Sequence, residues 1–138
     1  MKLKATGGIL AVIILMIVSC QSEENIEFKR YYSSGAMVYQ NHCQNCHGNN
    51  GEGLSALIPP LTDSLYLKNN RNALACYITS GLKGQISING KSFDDAMPAN
   101  DLSPLEVAQV LTYIGNSFSN KLSTINEQQV QADLKNCR

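Results

Sequence analysis

The sequence predicts a mainly α domain of about four to five short helices joined by long loops. Three observations carry that expectation. "SPLEVAQVLTYIGNSF", residues 103 to 118, repeats Val107, Val110, Leu111, Ile114 and Phe118 at helical spacing. Two further stretches, about Ser34 to Cys43 and residues 69 to 81, read as helices. No stretch sustains the two-residue alternation of a sheet strand; from Gly84 to Ala96 the Asn89-Gly90 pair allows one hairpin-like loop but no sheet.

The last long helix has the clearest start. Ser103 stands at its N-cap, Pro104 at its first position, and Glu106 completes a capping box. The helix over 69 to 81 presents Leu74, Ile78 and Leu82 at four-residue steps and ends at Gly81, a natural C-cap. "DSLYLKN" suits a short helical turn, and Thr124 with Glu127 suggests another capping box before a short tail helix reaching about Leu134. A chain of 138 residues makes one modest domain. Short helices and long loops bury a small core, so a non-protein group is expected in the middle.

The first residues read as an export signal. Lys2 and Lys4 precede "ILAVIILMIV", residues 9 to 18, an apolar run too short to span a bilayer comfortably. "IVSC" resembles the bacterial lipoprotein box, in which the Cys becomes the lipid-bearing first residue. Residues 1–19 are therefore expected to be a lipoprotein signal peptide, and Cys20 to carry a lipid; an ordinary signal peptide or an uncleaved anchor helix is the alternative. Residues 21 to about 32 are polar and without period, and read as a linker, so that 20–32 form the lipidated N-terminus. Loss of Lys2 and Lys4 leaves 9 basic residues against 11 acidic ones, a net charge of −2. No cluster of Lys and Arg suits nucleic acid.

The chemistry concentrates in Cys43-Gln44-Asn45-Cys46-His47. A redox dithiol would follow a strand, and none precedes Cys43. A zinc site needs four ligands, and the remaining cysteines, Cys76 and Cys137, are isolated. C-x-x-C-H is the attachment pattern of c-type haem. Each thiol would add to one haem vinyl group, and His47 would ligate iron on the proximal side. Of the methionines, Met1 and Met16 leave with the signal peptide and Met37 sits six residues before Cys43. His42 adjoins the clamp and cannot pass round the ring. Met97 remains as the sixth ligand; the alternatives are a five-coordinate iron, or one bound by a Lys.

Residues 33 to 119 resemble a class I, monohaem cytochrome c. Gly35 and Tyr39 resemble the Gly and aromatic where that family's first helix crosses its last, and Val110 and Tyr113 match the last helix there. "CQNCHGNNGEG" resembles the attachment loop, and "IPPL", residues 58 to 61, falls where the family has a Pro whose carbonyl accepts a hydrogen bond from the proximal His. Pro59 is the first choice for that role and Pro60 the second. "GLKGQISINGKSFDDAMP" resembles the segment carrying the axial Met. The resemblance implies a cytochrome c fold around one haem c, held by two thioether bonds to Cys43 and Cys46 and ligated by His47 and Met97.

It also implies a one-electron carrier rather than an enzyme. The expected partners are a dehydrogenase, a reductase or a terminal oxidase, on the periplasmic side of a bacterial membrane where the lipid anchors a monomer. A haem-based gas sensor with a labile sixth ligand is the alternative. The lysine ring that some members use for docking is absent, since residues 33–120, the expected haem domain, hold only Lys68, Arg71, Lys83 and Lys91 as cations. Residues 121–138 are an extension beyond the simplest family pattern. With Cys20 assigned to lipid and Cys43 and Cys46 to haem, Cys76 and Cys137 are left as an even pair in an oxidising compartment. They are expected to form a disulfide pinning the tail.

Overall fold

The computed structural model describes residues 23–137. The expected signal peptide and the lipid-bearing Cys20 lie outside them. Two compact units divide the chain, Met1–Arg30 and Tyr31–Arg138. In the first, the described residues 23–30 are all helical. All packing discussed below belongs to the second.

In the second, helix α1 covers residues 31–42. Residues 23–32, expected as a linker, are thus helical. They lack an apolar period, but Glu23, Glu24, Glu27, Lys29 and Arg30 are good helix formers. α2 is one turn, Gln44–His47. The "DSLYLKN" turn is α3 (Ser64–Asn69), and the helix expected over 69 to 81 is the shorter α4 (Leu74–Ser80). Asp63 caps α3 by accepting from the backbone N–H of Leu65 and Tyr66, both at 3.0 Å. Gly81 ends α4 at φ 78°, as the sequence leads one to expect.

The stretch expected to hold no sheet forms a two-stranded antiparallel hairpin, β1 (Ile86–Ile88) and β2 (Lys91–Phe93). Asn89 and Gly90 both take positive φ, 51° and 74°, which suits a tight primed turn. Strands of three residues are too short to declare a period, although Ile88 and Phe93 are buried.

α5 (Pro104–Asn116) has the expected capping box: Ser103 Oγ accepts from the Glu106 N–H, and a Glu106 carboxylate oxygen accepts from the Ser103 N–H at 2.9 Å. It stops two residues short of Phe118 because Phe118 and Ser119 turn the chain at φ 56° and 71°. Ser103→Ala should cost about 1 kcal/mol in a urea melt. The Ser103 hydrogen bonds hold the Glu106 carboxyl below its ordinary value. A lowered folded-state value means that this contribution is present near neutral pH and is lost as pH falls through it. The gap between wild type and Ser103→Ala should therefore narrow in acid; a gap that widens would contradict the assignment.

α5 is the centre of the packing. Val107, Ala108, Val110, Leu111, Thr112 and Ile114 are all buried on it. α1 crosses it at Gly35, where a Cβ would meet the Gln109 carbonyl carbon at 2.6 Å and Tyr113 Cβ at 2.9 Å. Around the crossing Tyr39 packs on Tyr113 and Phe118, with ring centroids 5.4 and 5.2 Å apart. Such tilted aromatic pairs are favourable beyond simple burial.

The tail shares this core. Ile125 and Val130 are buried in it. Thr112 Oγ1 donates to the Ile125 carbonyl at 3.1 Å and accepts from its N–H at 3.0 Å, so a polar side chain inside α5 leaves none of its groups idle. The Arg71 guanidinium donates to the Thr124 carbonyl at 3.0 Å. α6 spans Glu127–Leu134, and its cap is Asn126, which accepts from the Gln129 N–H at 2.9 Å, rather than Thr124. Cys76 on α4 and Cys137 after α6 are joined by a disulfide, with Cα atoms 5.5 Å apart.

Candidate haem cleft

The end of α1 delivers the chain into the site. Tyr39, 1% exposed, donates its hydroxyl to the Gly48 carbonyl at 2.7 Å and so ties α1 to the loop that follows α2. Burial pushes the Tyr39 phenol upward, as do the nearby Cys43 and Tyr113, which keeps it a neutral donor. Beyond α2 the chain doubles back. The Gly53 N–H donates to the His47 carbonyl at 2.8 Å, and the Leu61 N–H to the Gly51 carbonyl at 2.7 Å. Gly53 has φ 69°, and a Cβ there would meet Pro59 backbone atoms at 2.8 and 2.9 Å. Only glycine allows so close a return of backbone on backbone at positive φ.

That return places Pro59 against His47. The imidazole is buried, and its Nδ1–H donates to the Pro59 carbonyl at 3.1 Å. Burial lowers the His47 pKa, and the Pro59 hydrogen bond opposes this more weakly. The ring is therefore neutral near pH 7, with Nδ1 occupied as donor and Nε2 left as the lone-pair nitrogen. A metal-ligating His ordinarily makes such a bond with its other nitrogen. Pro60 lies beside Pro59 on the same wall.

His47 looks onto an apolar cleft of about 970 Å³, part of it open to solvent. Cys43 and Cys46 line it on the α2 side, and Met97 and Pro98 line it from a different part of the chain. Leu74, Ile78, Leu82, Leu111 and Ile114 supply much of the rest. Cys43 is half-buried and Cys46 exposed, and neither is in a disulfide. Burial is the main reason the Cys43 thiol is pushed up to about 11, with Cys46 adding to it.

Met97 is held by backbone. It forms a bridge with Leu82, N to O at 2.9 Å in one direction and 3.0 Å in the other. Three residues on, the Asn100 N–H donates to the Ile78 carbonyl at 2.9 Å. Met37 is 61% exposed and is not among the cleft residues. His42, which the sequence sets beside the clamp, reaches the cleft rim while remaining exposed. The sequence reading missed Tyr66, Tyr77, Ile86 and Ile88 as cleft walls. The Ile86/Ile88 alternation was the available signal, hidden in a polar, glycine-rich stretch.

The residues fit a haem. The cleft is lined mainly by apolar side chains with a few convergent polar groups, as cofactor sites usually are. Two thiols stand at its edge in C-x-x-C order, an imidazole nitrogen is oriented by a partner on its other side, and a thioether is on the lining. No cluster of three or more His, Cys, Asp or Glu side chains suited to a bare metal ion occurs among the described residues.

Fold and site together define a class, the monohaem c-type cytochromes. Residues 31–114 match the family described as cytochrome c oxidase, cbb3-type, subunit III, and the chain belongs to that family. It is also similar to cytochrome c-552 of Thermus thermophilus, 31% identical over 91 residues that make up 62% of this chain and 69% of the relative. A second cytochrome c-552 of Thermus thermophilus, from a named strain of that organism, is likewise 31% identical over 91 residues, 62% of this chain and 61% of that protein. Haem, electron transport and a cytochrome c fold follow from membership.

Proposed function

We propose that the protein is a one-electron carrier with a single haem c, bound through thioether bonds to Cys43 and Cys46 and ligated by His47 and Met97. The observation that supports this reading most is the meeting of Cys43, Cys46, His47 and Met97 on one apolar cleft, with the His47 Nδ1–H engaged by Pro59. A haem bound there would supply one-electron ferric–ferrous chemistry, and ligation by Met97 together with His47 would raise its potential. The chain's own part is to hold. Pro59 fixes the imidazole's orientation, the Leu82 and Asn100 hydrogen bonds fix the Met97 backbone, and the apolar walls exclude water.

Export and anchoring complete the proposal. The leader and the "IVSC" box support cleavage before Cys20 and its lipidation, which would tether the carrier to the periplasmic side of a membrane. No described helix is long and apolar enough to cross one. Its partners would be membrane-bound or exported redox proteins, a terminal oxidase being the one the family description brings forward, with dehydrogenases and reductases as the others. We take the carrier to be a monomer.

Voltammetry of the holoprotein should give one reversible one-electron wave, and the haem should stay with the chain after denaturation in acid acetone. Cys20→Ala should shift the protein from the membrane to the soluble fraction. Extractable haem would refute the thioether attachment. Ready binding of carbon monoxide by the reduced protein would favour a ligand sensor instead.

A further inference from the structure

α4 has two faces with different duties. Leu74 and Ile78, one turn apart, line the cleft. Cys76 stands two residues from each, about 200° round the helix at roughly 100° per residue, and so on the opposite face. There it is bonded to Cys137. The tail is further held by the Thr112–Ile125 exchange, by Arg71 on the Thr124 carbonyl, and by Val130, which is fully buried.

The C-terminal end of α4 carries the Met97 segment. Ile78 accepts from the Asn100 N–H, and Leu82 brackets Met97 through paired backbone hydrogen bonds. Gly81 lies so close that a Cβ would meet the Met97 carbonyl oxygen at 2.7 Å. The segment bearing Met97 therefore docks on the same helix that the tail clamps from outside. α4 touches both, the tail through Cys76–Cys137 and the Met97 segment through the Ile78 carbonyl. Seven residues make a short helix, marginal without tertiary support.

We propose that the Cys76–Cys137 disulfide and α6 are positioning elements for Met97: by clamping the outer face of α4 they set how often the Met97 segment opens away from the cleft. This rests on Met97 being the iron's sixth ligand. Local opening is distinct from global unfolding and has its own free energy. The disulfide has two effects that can be separated. It limits the unfolded chain as a whole, and it limits local opening of α4 and the segment docked on it.

The test is carbon monoxide binding to the reduced holoprotein, whose rate is gated by departure of Met97. The Cys76→Ser/Cys137→Ser double variant should bind carbon monoxide about tenfold faster or more than wild type, in conditions where far-UV circular dichroism shows it folded. In urea, its far-red thioether–iron band in the ferric state should fade well before the helical signal does. Tyr32→Phe, which removes the 3.0 Å hydrogen bond between α1 and Ser117, should lower global stability without separating the two transitions. If the double variant fails to fold, Val130→Ala with the disulfide intact should still raise the binding rate several-fold. An unchanged rate in folded variants, or band and helix lost together in urea, would overturn the proposal. A wild type that lacks the band altogether would instead refute the ligation on which it rests.

Discussion

Met97→Ala should lower the midpoint potential of the holoprotein by an amount on the order of a few hundred millivolts, within the roughly 0.8 V that axial ligands span. A thioether favours the reduced iron, so its loss favours the oxidised state. The protein should nevertheless fold. Met97 is only partly buried, and its position is set by main-chain bonds to Leu82 that alanine also makes. His47 would still be oriented by Pro59, and both thioether attachments would survive. The variant should also bind carbon monoxide readily when reduced. A potential within a few tens of millivolts of wild type would remove Met97 from the iron.

Gly35→Val should be among the most damaging substitutions for stability. The first methyl alone would sit 2.6 Å from the Gln109 carbonyl carbon and 2.9 Å from Tyr113 Cβ. The Gln109 side of that contact is helix backbone and cannot swing aside, so α1 must move off α5. Overpacking usually costs about 1–3 kcal/mol, and a helix crossing that must separate belongs at or above the upper end. The displacement would also disturb Tyr39, whose hydroxyl anchors the loop after α2. Gly115, on α5, is the contrasting case. A Cβ there meets Leu122 at 3.5 Å, an ordinary contact, and its φ is not in the left-handed region. Gly115→Ala should be neutral or stabilising by roughly 0.5 kcal/mol, because alanine restricts the unfolded chain and favours helix. Thermal melts of the two variants would check the contrast, and equal melting temperatures would contradict the packing described here.

The features that announced themselves in the sequence are those with a local cause. The Ser103/Glu106 capping box, the Gly81 cap and the Asn89-Gly90 turn each depend on a few neighbouring residues, and each stands where the chain predicts. Pro59 was legible for another reason. The C-x-x-C-H motif fixes where His47 must be, and the first proline of "IPPL" comes back within 3.1 Å of it. What stayed hidden depends on partners distant along the chain. Ile86 and Ile88 face the cleft from strands of three residues, too short for a period to stand out. Residues 23–32 carry good helix formers but no apolar stripe, and so looked like tether. Ile125 and Val130 sit in a polar tail, and only the fold reveals that they join the core around α5.

Setting aside one cysteine for lipid and two for haem leaves Cys76 and Cys137, which the fold joins. The count gave no hint that the bond lies on the back of the helix whose front lines the cleft. That placement needs the register of α4, with Leu74 and Ile78 inward and Cys76 outward.

The absorption of the oxidised holoprotein in the far red tests the account most directly. Iron held by the His47 imidazole and the Met97 thioether should show the weak thioether–iron charge-transfer band at neutral pH, and the band should vanish in Met97→Ala. A wild-type spectrum without that band, or a band that survives the substitution, would contradict the assignment.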